Sequence, residues 1–213
     1  MLIQLKPYEE SFYNILFRKL GKLDFLILCE GKTEAEIFKA LFKELRMSIP
    51  GEIGVTDAEG IDTLYELSRV MLNLTKIFRK VKKLGVLVDA ENIGIEERVK
   101  SLVNSLRSLG CKVTDLIKVC SHTFKLTVTN VTVIITVSGV ESFKQFQKHT
   151  IEDHALKLLL KVNPNVKGKV ESIKEAKEII RREKILELIE KTEGKYVEEA
   201  FNHIKCLIKQ LNE

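Results

Sequence analysis

The sequence contains no tryptophan, only three prolines and no C-x-x-C pair. Its four cysteines are widely spaced, at Cys29, Cys111, Cys120 and Cys206. Nothing in this spacing indicates a zinc ribbon or a redox couple. A cysteine within an apolar segment behaves as a small hydrophobic residue. We therefore expect all four cysteines to be free thiols.

Long apolar runs are also missing. No stretch approaches the ~18 uninterrupted apolar residues of a membrane-spanning helix, and the first residues do not have the pattern of a signal peptide. Hydrophobic residues make up 45% of the chain and charged residues 31%, which is typical of a soluble globular protein. The 35 Lys and Arg residues exceed the 30 Asp and Glu residues, an excess that is compatible with a polyanionic partner without requiring one. We expect a cytoplasmic protein with no membrane segment.

Three strand–helix units follow one another in the first half of the chain. Continuous apolar runs predict buried strands, because a parallel strand covered on both faces has no alternation. Amphipathic stripes predict the helices that follow them, the first opened by a capping box of Thr33 and Glu36. The predicted strands are residues 24–29, 53–57 and 84–88, and the predicted helices are residues 33–46, 61–80 and 95–110. This succession predicts an α/β fold with a mostly parallel central sheet and helices on both faces.

The rest of the chain changes character twice. Residues 112–138 are rich in Val, Ile and Thr around Asn130, which predicts further strands, including a hairpin, at the edge of the sheet. Helix is expected to return from Glu141, with a break near Pro164 before a charged helical tail that Gly194 divides into two helices.

These patterns predict three parts in the chain. The predicted parts are an N-terminal helix packed on the domain (residues 1–23, helical over 8–20), a main domain (24–160) and a helical C-terminal extension (170–213). The Lys and Glu spacing of the extension fits a solvated helix face. It fits equally well a surface for homodimer formation or for clamping nucleic acid.

Acidic residues directly follow two of the predicted strands. Glu30 follows the strand at residues 24–29, and Asp89 follows the strand at 84–88, with Glu91 two residues later. Ligands of an open α/β sheet gather beyond the carboxyl ends of its strands, so we expect the three acids to face one crevice. Carboxylates held that close repel one another unless a cation or proton intervenes, and oxygen ligands suit Mg²⁺. Each acid alone also fits a structural role, as a helix cap or a charge near a helix N-terminus.

The residues after Glu30 suggest a phosphate site. Gly31 is expected to let the backbone turn sharply and a phosphate approach closely, and Lys32 to neutralise that phosphate. The segment Glu30-Gly-Lys-Thr-Glu34, followed by an amphipathic helix, resembles the first motif of the Toprim domain, the nucleotidyl-transfer and hydrolysis domain of topoisomerases and primases. Asp89-Ala-Glu91 resembles the second motif, in which the family has Asp-x-Asp.

The resemblance covers roughly residues 24–160, and Asp57-Ala-Glu-Gly60 is similar to the glycine-containing turn between the two motifs. Glu91 departs from the family's second aspartate. The resemblance implies a Toprim-like, Rossmann-like fold and a role for each matching residue. Its implied metal ligands are Glu30, Asp89 and Glu91, its implied catalytic residues are Glu30, Asp89 and Lys32, and its implied substrate contacts are Gly31, Lys32 and Gly60. The implied ion is Mg²⁺, with Mn²⁺ as the alternative.

A further segment, Thr150-Ile-Glu152-Asp153-His154, resembles the additional acidic motif of some stand-alone and overcoming-lysogenisation-defect Toprim proteins. This similarity implies a second metal, bound by Glu34 with Glu152 or Asp153. The alternative is that these are ordinary acids near a helix N-terminus. His149 and His154 flank the acids, and each is a candidate general base or an ordinary structural histidine.

The sequence has neither a P-loop nor zinc-ribbon cysteines, so it resembles small stand-alone Toprim proteins, including the nuclease that matures bacterial ribosomal RNA and archaeal members without assigned activity. The resemblance implies a metal-dependent nuclease acting on DNA or RNA phosphodiesters. Two alternatives stay open. One is a non-catalytic Toprim-fold module that binds nucleic acid or protein, and the other is a different Mg²⁺-dependent nucleotidyl or phosphoryl transfer.

Overall fold

The computed structural model describes residues 1–6, 19–77 and 80–213. Most of the helix predicted at residues 8–20 lies outside the described residues, as does the end of the helix predicted at 61–80. The strands are β1 (Leu2–Gln4), β2 (Phe25–Cys29), β3 (Ile53–Asp57), β4 (Lys83–Asp89), β5 (Val113–Cys120), β6 (Thr123–Val128) and β7 (Val131–Ser138).

These strands form one seven-stranded sheet in the order β1-β3-β2-β4-β7-β6-β5. The pairs from β1 to β7 are parallel, and β7, β6 and β5 form an antiparallel meander. The predicted class, an α/β fold with a mostly parallel sheet, is confirmed. The meander also supplies the predicted hairpins, and β5 is the outer strand at that edge.

The helices cover both faces of the sheet. They are α1 (Lys32–Glu44), α2 (Ile61–Ile77), α3 (Ile95–Ser108), α4 (Ile151–Val162), α5 (Lys167–Glu171), α6 (Arg182–Lys191), α7 (Gly194–Ala200) and α8 (Asn202–Asn212). Helices α2 and α3 pack into the core on one face, and α1, α4, α6, α7 and α8 pack into the core on the other. No helix in the described part of the chain is long and apolar enough to cross a membrane.

The strand β4 shows why the central runs are apolar throughout. Val86 and Val88 belong to the core beneath α2 and α3, whereas Leu87 belongs to the core beneath α1 and α8. Successive side chains of a strand point to opposite faces, so a strand covered on both sides buries every one of them. This places the end of β4, at Asp89, between two layers of helices.

Several local predictions were wrong. The strand β1, which pairs in parallel with β3, was not expected. Helix α1 begins at Lys32 with Gly31 as its N-cap and no side-chain cap, so Thr33 and Glu36 form no capping box. Residues 141–150 are irregular, because backbone hydrogen bonds join His149 to Glu91 instead of continuing a helix. The tail is divided next to Gly194 as predicted, but it is also interrupted between Glu171 and Arg182 and again at Phe201.

The prediction of four free thiols was wrong for two of them. Cys120, at the end of β5, forms a disulfide with Cys206 on α8, with the two Cα atoms 6.7 Å apart. The two cysteines are 86 residues apart in sequence, so only the packing of α8 on the sheet brings them together. Cys29 and Cys111 are free, as predicted.

Candidate acidic site

Glu30 and Asp89 lie side by side because β2 and β4 are neighbouring parallel strands. The Glu30 amide donates a hydrogen bond to the Leu87 carbonyl (2.9 Å), and its carboxylate Oε2 accepts one from the Asp89 amide (3.1 Å). Burial raises the pKa of the Glu30 carboxyl above its usual value, and the Asp89 amide and the charge of Arg98 lower it in part. The two strand ends therefore bring the two acids together, as the sequence predicted.

Asp89 is almost completely buried at the end of β4. Its Oδ1 accepts a hydrogen bond from the amide of Ile151, the first residue of α4 (3.0 Å). Burial raises the pKa of Asp89 well above its usual value, and the charges of Glu34 and Glu152 raise it further. On its other side, Asp89 pairs with Ser138 of β7, and the Ser138 carbonyl accepts a hydrogen bond from the Ala90 amide (2.8 Å).

Glu34 joins the same group from the first turn of α1. Glu34 is only 6% exposed. Burial raises the pKa of its carboxyl to about 7, and the charges of Glu152 and Glu30 also raise it. Four carboxyl groups, those of Glu30, Glu34, Asp89 and Glu152, thus act on one another through their charges. We call these four residues the acidic site.

Gly31 has a reason to be glycine that the sequence did not reveal. Its φ of −137° is extended backbone that any residue adopts, so the expected sharp turn is not the reason. A Cβ added at Gly31 would lie 2.8 Å from Oε2 of Glu34. The residue leaves room for the Glu34 carboxyl. Gly60, at φ +125°, donates its amide to the Glu30 carbonyl (2.9 Å) and so holds the backbone beside the site.

Two residues predicted for the site lie at its margin. Lys32 is exposed and lines a cavity of about 290 Å³ together with Lys39 of α1 and Asp57 at the end of β3. Glu91 adopts φ +54°, and its carboxylate forms an ion pair with Lys148 (2.9 Å). The charge of Glu91 still raises the pKa of Asp89, although by less than the charges of Glu34, Glu152 and Glu30 do.

The structure separates Glu152 from Asp153. Glu152 acts on Glu34 and Asp89 through its charge, whereas Asp153 points into the irregular segment at residues 139–149. There its Oδ2 accepts hydrogen bonds from the Val140 amide and from His149 Nδ1, each 3.0 Å. Successive residues of a helix point about 100° apart, so the two adjacent acids cannot share one role. A second ion built from Glu34 would therefore take Glu152.

The two candidate bases also differ. His149 is held by Asp153, an arrangement that orients an imidazole. His154 is buried, with its Nε2 3.0 Å from the Gly139 amide and its Nδ1 2.9 Å from the Ala200 carbonyl. Burial lowers the pKa of His154 to about 3. With both ring nitrogens occupied by the backbone, His154 has no free position for proton transfer.

Sequence reasoning missed Arg98, in the first turn of α3. The residue is 8% exposed, and its charge lowers the pKa of Glu30. The available signal was its position three residues after Ile95, on the face of α3 that Val99 and Leu102 continue. A basic residue within an apolar helical stripe is unusual, because burying an arginine without a partner is costly.

The acidic site matches a hard divalent cation in the chemistry of its donors. Among the described residues, however, no group of three His, Cys, Asp or Glu side chains is arranged to hold a metal ion. Glu30 and Asp89 each use one carboxylate oxygen as an acceptor for a backbone amide, and Glu91 is paired with Lys148. Three of these carboxylates would surround one ion only after a side-chain rotation.

The fold and the site define an α/β protein with crowded carboxylates at the carboxyl ends of neighbouring parallel strands. The chain belongs to the family described as "Protein of unknown function (DUF3226)", whose model matches residues 24–191. No curated protein and no solved structure matched the chain significantly.

Proposed function

We propose that this chain is a magnesium-dependent nuclease of the Toprim type, which hydrolyses phosphodiesters of nucleic acid at the acidic site. The observation that carries this proposal is the crowding of four acids: the Asp89 amide donates to Glu30 Oε2, and the charges of Glu30 and Glu152 raise the pKa of both Glu34 and Asp89. Buried carboxylates that repel one another destabilise a fold unless protons or a cation compensate. A protein that keeps these four acids together at the carboxyl ends of its strands, with Glu34 and Asp89 buried, has a use for a cation there.

The residues would divide the work as follows. Glu30 and Asp89 would hold the ion, with Glu91 added once its carboxylate leaves Lys148, and Glu34 with Glu152 would form a second position. A magnesium ion held there would supply an activated water and would stabilise negative charge on the phosphate. His149, whose ring is hydrogen-bonded to Asp153, would accept a proton. Lys32, exposed at the start of α1, offsets charge on the nucleic-acid backbone.

The second candidate is a non-catalytic module of the same fold. The observation in its favour is Glu91, whose carboxylate is tied to Lys148 and whose backbone is tied to His149. A site in which one acid is fixed in an ion pair binds metal less readily. The binding module and the nuclease differ most clearly in metal affinity.

Metal binding tests the proposal first. We expect Mg²⁺ and Mn²⁺ titrated calorimetrically into the wild-type chain to bind with release of protons, because Glu34, with a pKa of about 7, must ionise. Asp89→Asn should weaken binding by about 100-fold, since it removes an anionic ligand. Glu97→Gln, an exposed acid on α3, is the control and should bind normally. Absence of metal binding to the wild type would exclude the nuclease.

Cleavage tests it second. Labelled single-stranded and duplex DNA and RNA are incubated with the wild-type chain and with Glu30→Gln, in Mg²⁺ and in EDTA. We expect cleavage that needs Mg²⁺ and falls by about 100-fold or more in the variant, because the glutamine keeps the shape and loses the charge. Equal cleavage by both proteins would assign the activity to another site or to a contaminant.

A further inference from the structure

Arg98 is a buried cation that the described structure leaves incompletely paired. Its residue is 8% exposed, and its Nε is buried without any hydrogen-bond partner among the described residues. The Arg98 amide donates a hydrogen bond to the Gly94 carbonyl (3.0 Å), so the donor without a partner is in the side chain. A buried polar group without a partner costs free energy and calls for an explanation in terms of a ligand or of function.

The position of Arg98 relates it to the acidic site. Helix α3 begins six residues after Asp89, and Arg98 lies in its first turn. The positive charge of Arg98 lowers the pKa of the Glu30 carboxyl. The acids that a guanidinium would pair with have other partners. Glu30 Oε2 accepts a hydrogen bond from the Asp89 amide, and Glu91 forms an ion pair with Lys148. The Nε of Arg98 has no such partner among the described residues.

A purely structural role accounts poorly for this residue. The neighbours of Arg98 on the same face of α3 are Ile95, Val99 and Leu102, all buried and apolar. An apolar side chain at that position would pack with them and avoid the desolvation of a charge. The planar guanidinium, with five donors in a fork, matches the oxygens of a phosphate.

We propose that Arg98 binds the phosphate group of the substrate at the acidic site, through its guanidinium and from the side of α3. This inference rests on the proposed function in one respect, that the substrate is a phosphodiester. The cation held by the acids and the guanidinium would then contact the same phosphate from two elements of the fold. Arg98 attracts the phosphate, which the acids by themselves repel.

Binding of inorganic phosphate to the full chain tests this inference without relying on cleavage. Phosphate is titrated calorimetrically into the wild type, Arg98→Met, Arg98→Lys and Arg107→Met, with Mg²⁺ and with EDTA. Arg107 is the matched control, because it is an exposed arginine on the same helix. We expect Arg98→Met to weaken phosphate binding by about 10-fold or more, Arg98→Lys to retain part of it, and Arg107→Met to behave as the wild type.

Two further measurements distinguish a phosphate contact from a structural arginine. Arg98→Met should melt at or above the wild-type temperature, because it removes a buried charge, and it should bind Mg²⁺ at least as tightly, because it removes a neighbouring cation. A large fall in melting temperature of both Arg98 variants would overturn the inference, since it would show that the guanidinium is paired inside the fold.

The remaining outcomes separate this inference from the proposed function. Phosphate binding that depends on Arg98, in a chain that cleaves no nucleic acid, supports the inference and removes the nuclease. Cleavage with an unchanged kcat/KM in Arg98→Met, together with unchanged phosphate binding, removes the inference and leaves the nuclease. Failure of the wild type to bind phosphate under either condition would also overturn the inference.

Discussion

Two groups of titratable side chains are buried or half-buried in the described part of the chain: the acidic site and a cluster of three histidines, His122, His154 and His203. The ring centroids of His154 and His203 are 3.8 Å apart, and His122 lies 5.6 Å from His154. Burial lowers the pKa of each of the three, so the histidines are neutral and stack as ordinary rings. The acids repel one another in their charged form, so they need protons or a cation to compensate.

Hydrogen bonding reinforces the contrast. Both ring nitrogens of His154 are satisfied by the backbone, His203 Nε2 lies 3.3 Å from Ser138 Oγ, and His122 Nδ1 lies 3.1 Å from the Val137 carbonyl. Only Nδ1 of His203 is buried without a partner among the described atoms of the three rings. Buried titratable groups that are neutral and hydrogen-bonded support the fold. Buried groups whose charges repel one another indicate a functional site.

The largest effect on stability is expected from the histidine side. In the folded chain His154 keeps a pKa of about 3, against a usual value of 6.5, so its contribution is fully present above pH 6.5 and is lost as the pH falls toward 3. The fall in unfolding free energy from pH 7 to pH 4 should be about 3 kcal/mol smaller in His154→Gln than in the wild type. Denaturant unfolding at the two pH values measures this difference. An equal fall in both proteins would contradict the assignment of His154 as a buried neutral ring.

The disulfide between Cys120 and Cys206 should stabilise the same part of the fold, because Cys206 lies on α8 together with His203. Replacing Cys120 and Cys206 with serine is expected to lower the unfolding free energy by about 2–4 kcal/mol, because the long loop they close gains entropy in the unfolded chain. Reduction of the wild type should have the same effect. Cys111→Ser, which removes a free thiol, is the control and should change little. Unfolding that is insensitive to reductant would show that the bond does not form.

The acidic site should respond to pH in the opposite sense. The Glu34 carboxyl has a pKa of about 7 in the folded chain, above its usual 4.5. Its contribution to stability is therefore present below pH 4.5 and is lost as the pH rises toward 7. Glu34→Gln, which stays neutral, should be about 3 kcal/mol more stable than the wild type at pH 8 and show no such gain at pH 4.5. Glu36→Gln, on the same helix and half-buried, should show no gain at either pH.

The smallest effect on stability is expected at the margin of the acidic site. The ion pair of Lys148 with Glu91 is half-exposed, so Lys148→Met should change the unfolding free energy by less than about 1 kcal/mol. The same substitution should tighten Mn²⁺ binding severalfold, because it frees Glu91 and removes a cation. Lys144→Met, an exposed lysine of the same segment, should leave Mn²⁺ binding unchanged. Weaker binding in Lys148→Met would exclude Glu91 from the metal ligands.

Local sequence patterns were enough to predict the strand–helix units and the two acids that follow β2 and β4. The apolar runs are continuous because both faces of those strands are covered, and that property is visible in sequence. The pairing of β7 with β4, which puts Ser138 beside Asp89, was not predictable, because it depends on which strands meet after the chain has turned back. The disulfide was missed for the same reason.

Of the acidic site, the residues at the strand ends, Glu30 and Asp89, were predictable from the sequence. The separation of Glu152 from Asp153 depends on the direction in which α4 leaves the irregular segment before it, and no spacing encodes that direction. Arg98 was overlooked because the helix was predicted from the spacing of its apolar residues. A charged residue on the buried face does not fit that spacing and was assigned no role. The close approach of Glu34 to Gly31 depends on a single side-chain conformation.

Ser138 has contacts to both groups compared above. Its carbonyl accepts from the amide next to Asp89, and its hydroxyl lies against His203. We expect unfolding of the histidine side to withdraw the strand that supports the acids, so that the two groups unfold together. By thermodynamic linkage, a cation bound by the acids would then stabilise the whole chain. A rise in melting temperature with added Mg²⁺ above pH 7, where Glu34 is ionised, would therefore measure occupancy of the acidic site without any substrate.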